Sequence, residues 1–386
     1  MPGERAYDVV VFGATGFTGE LTAAYLAENG PEGLRWALAG RNQQKLAAVR
    51  DRLGKPDLPL LHAEVGDPAS LAEVAGSTKV VITTVGPYIN YGEPLVKACA
   101  DAGTDYVDLT GEPEFVDLMY VRHHARAAQT GARIIHCCGF DSIPHDLGAY
   151  FTVKQLPEGV PLKVEGFVTA NGTFSGGTLD SAVTAMSRLR ETRKAAAGRK
   201  AIEPRPEGRR ARAVPGKPRR NKEAGGWVLP MPTIDPTIVA RSARALDRYG
   251  PDFTYSHYFA TPHAYMAGGA AAGAGGLVAM AQIPAARNWL RKRRPSGAGP
   301  SPEQRAKGWF KVRFIGEGGG SRVITEVSGG DPGYGDTAKM LAESAVCLAL
   351  DELPPSAGQV TTAHAMGDAL IARLQAAGMG FRVIQG

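Results

Sequence analysis

The sequence lacks most of the features that mark secreted, fibrous or metal-scaffolded chains. It has only four cysteines in 386 residues, none of them in a CxxC pair, so neither a disulfide framework nor a zinc site built on cysteine is expected. Aromatic residues make up 7% and charged residues 21% of the chain, which is ordinary for globular proteins and excludes a disordered chain. The first eight residues, MPGERAYD, contain no apolar run typical of a secretory signal, and we therefore expect a cytoplasmic protein.

The net positive charge of the chain comes from one segment. The chain carries a net charge of +6, but residues 188–222 alone contain 14 Lys and Arg against 3 Glu, so the remainder is acidic overall. A protein that coats nucleic acid would be basic throughout, and we therefore expect no nucleic-acid partner. The basic segment needs an explanation of its own.

Short apolar runs alternate with helical stretches over about the first 140 residues. The runs predict six strands, at residues 7–12, 34–39, 58–64, 80–85, 106–109 and 133–138. Strict alternation of this kind predicts a parallel sheet with right-handed crossovers. Six strands match the doubly wound dinucleotide-binding fold, so we predict an α/β protein with an N-terminal Rossmann domain.

A glycine-rich turn directly follows the first predicted strand and precedes a helix. In such a turn, backbone N–H groups can meet a pyrophosphate at the positive end of the helix. The alternative is a tight turn that binds no ligand. We predict that the motif GATGFTG binds the cofactor through Gly13, Thr15, Gly16, Phe17 and Gly19.

The end of the second predicted strand indicates which cofactor is bound. NAD-specific enzymes usually place Asp or Glu there, whereas this chain has Arg41 followed by Asn42. A guanidinium can pair with a 2′-phosphate in a charge-assisted contact, which favours NADP(H) over NAD(H). The alternative is an ordinary surface arginine.

Two further strand ends are candidates for cofactor contacts. The fourth strand ends at Thr84, Gly86 and Pro87, which we expect near the ribose on the nicotinamide side, at the point where strand order reverses. The third strand ends near Asp67, which could meet the adenine edge. Asp-Pro is, however, also a common way to open a turn.

A second domain is predicted where the alternation stops. We place the Rossmann domain at residues 1–148 and 335–386, with helices in the second part, and an inserted mixed α/β domain at 149–334. Within the insert, residues 198–226 are rich in Arg, Pro and Gly and are expected to form an exposed basic loop. The glycine-rich stretch 268–276 is expected to be conformationally loose.

An alternating pair of runs within residues 309–327, joined by glycines, predicts a hairpin. The sheet containing this hairpin could also build a homodimer.

Several motifs, taken in order, resemble those of the saccharopine dehydrogenase-like oxidoreductases. They are the glycine-rich turn, AGR at 39–41, GPY at 86–88, TGE at 110–112 and GFDSIP at 139–144. Two later segments, SGGT at 175–178 and SGGDPGY at 328–334, most resemble the actinobacterial branch called trans-acting enoyl reductases.

The resemblance implies a fold and an activity. The fold is a Rossmann domain with an inserted α/β domain. The activity is an NADPH-dependent reduction supplied in trans to a partner polyketide synthase, with an acyl or polyketide thioester, possibly on a carrier protein, as substrate. The alternatives are a saccharopine dehydrogenase-type C–N oxidoreductase, for which matching paired arginines are missing, and a non-catalytic NADP-binding scaffold or sensor.

Enoyl reduction requires stabilisation of an enolate oxygen and delivery of a proton. The candidates for these roles are Tyr88, Asp141, Ser142, Ser175 and Thr178. A purely structural alternative exists for most of them, because Asp-Ser-Ile-Pro is also a sound helix start and Ser175 or Thr178 could cap a long helix. His123 and His124 lack spaced carboxylates, so no metal site is predicted.

The basic segment and the apolar stretch after it leave three alternatives open. The basic segment could dock an acidic carrier protein, lie on anionic lipid at the inner face of the plasma membrane, or form a solvated loop. Residues 266–283 approach the length of a membrane span, but their Gly and Ala content makes them weakly hydrophobic. We therefore expect no span and at most peripheral membrane contact.

Overall fold

Two β-sheets organise the protein. The computed structural model describes residues 5–171, 183–286, 289 and 299–386. All strands of the first sheet are parallel, and their spatial order is β3 (Leu60–His62), β2 (Trp36–Gly40), β1 (Tyr7–Phe12), β4 (Thr78–Thr83), β5 (Asp105–Asp108), β6 (Arg133–Ile135) and β14 (Gly358–Val360). The order 3-2-1-4-5-6 is that of the doubly wound fold, and the predicted Rossmann domain is confirmed.

Helices connect the strands of this first sheet. They are α1 (Phe17–Asn29), α2 (Gln43–Arg52), α3 (Pro68–Ser77), α4 (Tyr88–Tyr91), α5 (Glu93–Ala102) and α6 (Pro113–Thr130). The central strands β1 and β4 carry fully buried valines and isoleucine, because helices cover both faces of a parallel sheet. The helices α5 and α6 end at Gly103 and Gly131, whose left-handed φ angles of 70° and 84° favour glycine.

The second sheet is mixed and has eight strands. Their order is β15 (Gly380–Gln385), β13 (Ser321–Gly329), β12 (Trp309–Gly318), β7 (Leu162–Asn171), β11 (Asp252–Thr261), β10 (Gly226–Pro230) and β9 (Arg219–Asn221), while β8 (Arg210–Ala213) pairs with β11 off this path. The strands β12 and β13 form an antiparallel pair, so the predicted hairpin is confirmed.

The remaining helices of the described residues follow the first six Rossmann strands in the chain. They are α7 (Ile143–Val153), α8 (Leu189–Ile202), α9 (Asp235–Ala245), α10 (Ala264–Gln282), α11 (Pro302–Arg305), α12 (Gly335–Leu350), α13 (Thr362–Ala365) and α14 (Gly367–Ala376), with a 3₁₀ turn at Asp247–Tyr249.

The helix α7 links the two sheets. It follows β6 of the first sheet and packs against β7, β12 and β13 of the second. An added Cβ at Gly148 would lie 2.3 Å from the ring of Phe314, so this glycine permits the close approach of helix and sheet. The domain boundary predicted at residue 148 therefore lies inside one continuous helix.

The C-terminal segment divides between the sheets. The helix α12 packs against α1, β1 and β4, and β14 extends the first sheet beside β6. The last strand, β15, instead pairs with β13 of the second sheet. The expectation that all of residues 335–386 belong to the Rossmann domain therefore needs correction at this strand.

The glycine-rich stretch 268–276 is regular rather than loose. It lies in the middle of α10, a helix of 19 residues. Alanine alternates with the glycines, and Leu277, Val278 and Met280 follow, so enough good helix formers offset the cost of glycine. The expectation of a loose segment was wrong.

The expected basic loop at 198–226 is also wrong in part. The helix α8 continues to Ile202, and β8 and β9 then add short strands to the second sheet. Charge alone favoured a solvated loop, but several arginines have acidic partners elsewhere in the chain. Arg188 pairs with Glu114, Arg212 with Asp252, and Arg219 with Glu165.

Arg199 is the most deeply buried of these arginines. Its guanidinium is in contact with Asp117 of α6 and with Glu203, and only 2% of the residue is exposed. Burial raises the pKa of Asp117, and the Arg199 charge opposes that shift. The pair fastens the basic segment to the Rossmann domain.

Replacement of Arg199 tests this structural role. We expect Arg199→Ala to lower the free energy of unfolding by about 3–5 kcal/mol, because it leaves the buried carboxylate of Asp117 without its ion-pair partner. Exposed Arg220, which has no ion-pair partner among the described residues, provides the control, and Arg220→Ala should have little effect. Urea denaturation measures both changes, and equal stabilities of the two variants would contradict the role.

Candidate active site

The glycine-rich turn has the geometry that a pyrophosphate requires. Gly13 has a φ of +90°, and an added Cβ at Gly19 would lie 2.2 Å from the Gly13 carbonyl oxygen, so both positions require glycine. Gly16 precedes α1, and no side chain caps the first turn of that helix. The first N–H groups of α1 lack acceptors within the helix and lie at its positive end. The N–H of Gly16 itself donates to the Gly13 carbonyl at 3.0 Å. Thr15 and Gly16 are exposed there.

Phe17 is covered from the other side. Its ring makes an edge-on contact with Tyr334 at 4.9 Å between centroids, and the guanidinium of Arg305 lies 5.6 Å from its centroid. The segment that precedes α12 therefore closes over the first turn of α1. We therefore expect Phe17 to contribute to cofactor binding by lining one side of the glycine turn.

Arg41 is placed as the cofactor prediction requires. It follows β2 at the carboxyl edge of the first sheet, is exposed, and has no ion-pair partner among the residues described. Asn42 and Asp67 both cap helices: the Asn42 side chain accepts from the N–H of Lys45, and that of Asp67 from the N–H of Ala69. Each of these two side chains therefore has a structural role as a helix cap, and its contact with a cofactor stays a prediction.

The loop after β4 lies against the glycine turn. The Thr84 hydroxyl donates to the carbonyl of Gly13 at 3.2 Å, and the Gly86–Pro87 peptide that follows is cis. The structure therefore brings these residues to the same edge of the sheet as the glycine turn.

Tyr88 does not occupy the position predicted for a substrate donor. Its side chain is buried, its hydroxyl donates to the carbonyl of Thr83 at 3.1 Å, and it accepts from the N–H of Leu109 at 3.2 Å. Burial and the charge of Asp108 raise its pKa well above the usual value. The predicted catalytic role of Tyr88 is wrong, because both hydrogen-bonding capacities of its hydroxyl are used within the fold.

Glu112 supports the same loop. Its carboxylate accepts from the N–H groups of Tyr88 and Ile89, at 3.0 and 2.9 Å. It therefore caps α4, rather than the helix α6 that follows it in sequence. The loops after β4 and β5 are thereby fixed to each other.

Asp141 has the surroundings of a proton donor. Asp141 is an exposed residue at the end of the loop after β6, and its carboxyl group lies against the protein, since an added Cβ at Gly111 would lie 3.2 Å from its Oδ1. Desolvation by the surrounding protein and the charge of Asp235 raise the pKa of Asp141 to about 7. A carboxyl group with such a pKa is partly protonated at neutral pH, so it can donate a proton and be reprotonated.

Three buried groups lie behind Asp141. Asp235, the first residue of α9, has its Oδ1 3.1 Å from Nδ1 of His145 and its Oδ2 3.7 Å from Nε2 of His257. The other ring nitrogen of His257 lies 3.0 Å from the Tyr255 hydroxyl. Each member of this His–Asp–His cluster is at least 97% buried.

The cluster has a defined electrostatic arrangement. Burial lowers the pKa of His257 to about 3, so its ring is neutral at physiological pH. Burial alone would raise the pKa of Asp235, but the neighbouring His145 outweighs it and holds that pKa below the usual value. Asp235 is therefore a carboxylate, and its charge acts on Asp141.

Sequence reasoning missed this cluster. Its atoms lie within 4.8 Å of one another, a spacing that could also hold a metal ion, although the prediction from motifs was that the protein has no metal site. No motif connects Asp235 or His257 with the GFDSIP segment, since the second domain supplies both. The sequence did contain one signal for this cluster, because His257 is a polar residue within β11, a strand whose residues are mostly buried.

The predicted serine and threonine candidates have different outcomes. Ser142 is fully buried, and its hydroxyl donates to the carbonyl of Asp141 at 2.6 Å and lies 3.4 Å from Oδ1 of Asp235. These contacts give Ser142 a structural role beside the acidic pair, and its catalytic role stays a prediction. Ser175 and Thr178 lie outside the described residues.

A surface cavity lies elsewhere in the described part of the chain. It has a volume of about 660 Å³ beside β12, β13 and β15, and its walls include Trp309, Phe310 and Met379. None of its lining residues is an acid, a histidine or a tyrosine. The Phe310 ring packs against Phe140, at 5.0 Å between centroids, next to Asp141.

Known proteins resemble this chain over its whole length. The sequence profile of the saccharopine dehydrogenase NADP binding domain matches residues 9–135. A trans-acting enoyl reductase of Mycobacterium tuberculosis strain H37Rv is 37% identical over 417 aligned positions, which cover 98% of each chain. The chain belongs to the trans-acting enoyl reductase family.

Further relatives agree with this assignment. The trans-acting enoyl reductase of Mycobacterium ulcerans is 35% identical over 97% of each chain. Saccharopine dehydrogenase from Saccharomyces cerevisiae superposes with a TM-score of 0.57 at 12% identity, covering 98% of this chain and 100% of its own, which shows a shared fold. The family and its NADP-binding domain identify the chain as an NADP-dependent oxidoreductase, as predicted.

Replacement of Arg41 tests whether the protein prefers NADPH to NADH. We expect Arg41→Asp to weaken NADPH binding by roughly 10–100-fold, since it replaces a charge-assisted hydrogen bond with repulsion of the 2′-phosphate. NADH binding, which involves no such phosphate, should change little. Fluorescence titration measures both affinities. Arg52→Asp, at an exposed arginine of the same domain, is the control, and equal losses for both cofactors would remove the 2′-phosphate role.

Proposed function

We propose that the protein is an NADPH-dependent enoyl reductase that acts in trans on an acyl or polyketide thioester, with Asp141 as its proton donor. The observation that carries the proposal is the position of Asp141, an exposed residue at the carboxyl edge of the cofactor-binding sheet whose carboxyl group has a pKa of about 7. The names of the mycobacterial relatives supply the reaction class.

The residues of the first sheet fit NADP. The glycine turn leaves no room for a Cβ at Gly13 or Gly19, the first turn of α1 offers N–H groups, and Arg41 is free to meet a phosphate. When bound, the reduced cofactor supplies a hydride to the β-carbon of the enoyl group. The chain itself contributes the position, the electrostatics and the proton.

The proton requirement explains the Asp141–Asp235 pair. Hydride addition to an enoyl thioester produces an enolate, which needs one proton at its α-carbon to give the saturated thioester. Desolvation and the Asp235 charge raise the pKa of Asp141 to about 7, while His145 keeps Asp235 ionised in a buried position. Asp235 and His145 are thus positioning residues for the acid.

The partner and the assembly belong to the same proposal. An enzyme that acts in trans meets its thioester on a separate synthase or carrier protein. The pairing of Arg188, Arg212 and Arg219 with acidic residues leaves less free positive charge for such a partner than the sequence suggests. The exposed basic residues that remain for docking include Arg210, Lys217 and Arg220.

A homodimer is proposed at the edge of the second sheet. The strand β15 forms that edge, and its Val383 and Ile384 are 46% and 50% exposed. An exposed apolar edge strand readily pairs with another copy. We expect the double variant Val383→Lys with Ile384→Lys to be monomeric in sedimentation velocity while the unmodified protein is a dimer. A monomeric unmodified protein at micromolar concentration would discard the dimer.

Replacement of Asp141 tests the chemistry. We expect Asp141→Asn to lower kcat by about 10²–10⁴-fold, since an amide cannot deliver a proton. NADPH binding should be unchanged. In the unmodified enzyme, kcat should fall as pH rises through about 7, because the proton on Asp141 is lost there. That pH dependence should vanish in the variant.

The measurement is NADPH oxidation, followed by absorbance, with a panel of enoyl thioesters. Asp252→Asn, an exposed aspartate paired with Arg212, is the control and should retain activity. A variant of Asp141 with unchanged kcat would exclude it as the donor. Binding of NADPH without turnover of any enoyl thioester would instead favour the non-catalytic alternative.

A further inference from the structure

The helix α10 differs from the other described helices in being long, apolar and exposed. It is the single helix in the described ranges that is long and apolar enough to cross a bilayer. Only Ala267 and Ala281 of its 19 residues are buried, so almost the entire helix faces solvent. Such an exposed apolar surface marks a site of interaction with a membrane or a protein.

The helix contains no charge that would solvate it. The sequence has no Asp, Glu, Lys or Arg between residues 253 and 286. Large apolar side chains are exposed at both ends: Tyr265 and Met266 near the start, 75% and 44% exposed, and Val278 and Ile283 near the end, 36% and 55% exposed.

Positive charge begins immediately beyond the helix. Five basic residues follow within eight positions, and they are Arg287, Arg291, Lys292, Arg293 and Arg294. The aromatic residues Tyr265 and Trp289 flank the apolar stretch, and Trp289 is half exposed. Amphipathic aromatic rings and basic residues at the ends of an apolar helix are typical of a segment at the interface of an anionic membrane.

The connections of the helix exclude a span. It follows β11 of the second sheet by two residues, and at its end the side chain of Gln282 donates to the carbonyl of Met186 at 2.6 Å. Residues 299–305 then lie against Phe17 of the Rossmann domain. A span would force residues 283–298, with their five basic side chains, to cross the hydrocarbon a second time, at a prohibitive cost.

We propose that α10 lies in the plane of an anionic lipid surface and docks the enzyme there. At about 1.5 Å per residue the helix is about 28 Å long. Its exposed apolar side chains enter the boundary between headgroups and acyl chains, and the positive charge that follows the helix in the sequence favours an anionic surface. This inference does not depend on the proposed reaction, since it uses none of the residues assigned to catalysis.

Vesicle flotation of the full-length protein tests the docking. The vesicles are an equimolar mixture of phosphatidylcholine and phosphatidylglycerol, with pure phosphatidylcholine as the comparison. We expect the unmodified protein to float with the anionic vesicles and to bind phosphatidylcholine and high-salt samples more weakly. The double variant Met266→Glu with Val278→Glu should lose roughly tenfold or more of its partition coefficient, because two buried apolar contacts become charges.

A matched pair of variants controls for surface charge and folding. Val121 and Val214 are exposed to similar extents, 41% each, outside α10. The double variant Val121→Glu with Val214→Glu adds the same charge and should float like the unmodified protein. Thermal unfolding confirms that both double variants are folded, and NADPH binding should be equal in all three proteins.

Three results would overturn the proposal. They are an unmodified protein that does not float, equal losses in the two double variants, and an oligomer that dissociates only when Met266 and Val278 are replaced. The last result would show that α10 pairs with a second copy of the chain, and sedimentation velocity without vesicles detects it.

Discussion

The two sheets of this protein are held together by the requirement that buried charges have partners. Asp146 of α7 is fully buried and accepts from the Ser242 hydroxyl at 2.5 Å, the Thr362 hydroxyl at 2.7 Å and the N–H of Ala363 at 2.8 Å. These donors come from α9 and α13, two helices that contact each other and that both pack against α7, the helix that joins the sheets. An unpaired carboxylate at this depth would cost several kcal/mol, so the arrangement of these three helices is fixed by one side chain.

The same constraint prepares the candidate active site. Asp235 is buried at the start of α9, where the positive end of the helix and His145 favour its ionised form. Once Asp235 is ionised, a second carboxylate nearby cannot ionise at its ordinary pH, and Asp141 is the one affected. The acid therefore depends on the contact between the domains: the first sheet supplies Asp141, and the second supplies the charge that retains its proton.

The sequence predicted what local patterns determine and missed what distant contacts determine. The Rossmann strands, the glycine turn and Arg41 follow from short motifs and from alternation, since each involves neighbouring residues. The orientation of Tyr88 depends on the carbonyl of Thr83 and the N–H of Leu109, which no spacing reveals. Likewise, the basic segment resembled a solvated loop because the partners of Arg199 and Arg219 belong to other elements. Asp235 and His257 escaped notice for the same reason.

The cofactor turn and the apolar helix are coupled by the length of chain between them. Residue 286 follows the end of α10, and residue 299 already lies against Phe17 at the glycine turn. An extended chain spans at most about 3.6 Å per residue. The first turn of α1 therefore lies within about 50 Å of the end of α10. A surface that held α10 would therefore also keep the cofactor turn within about 50 Å of itself.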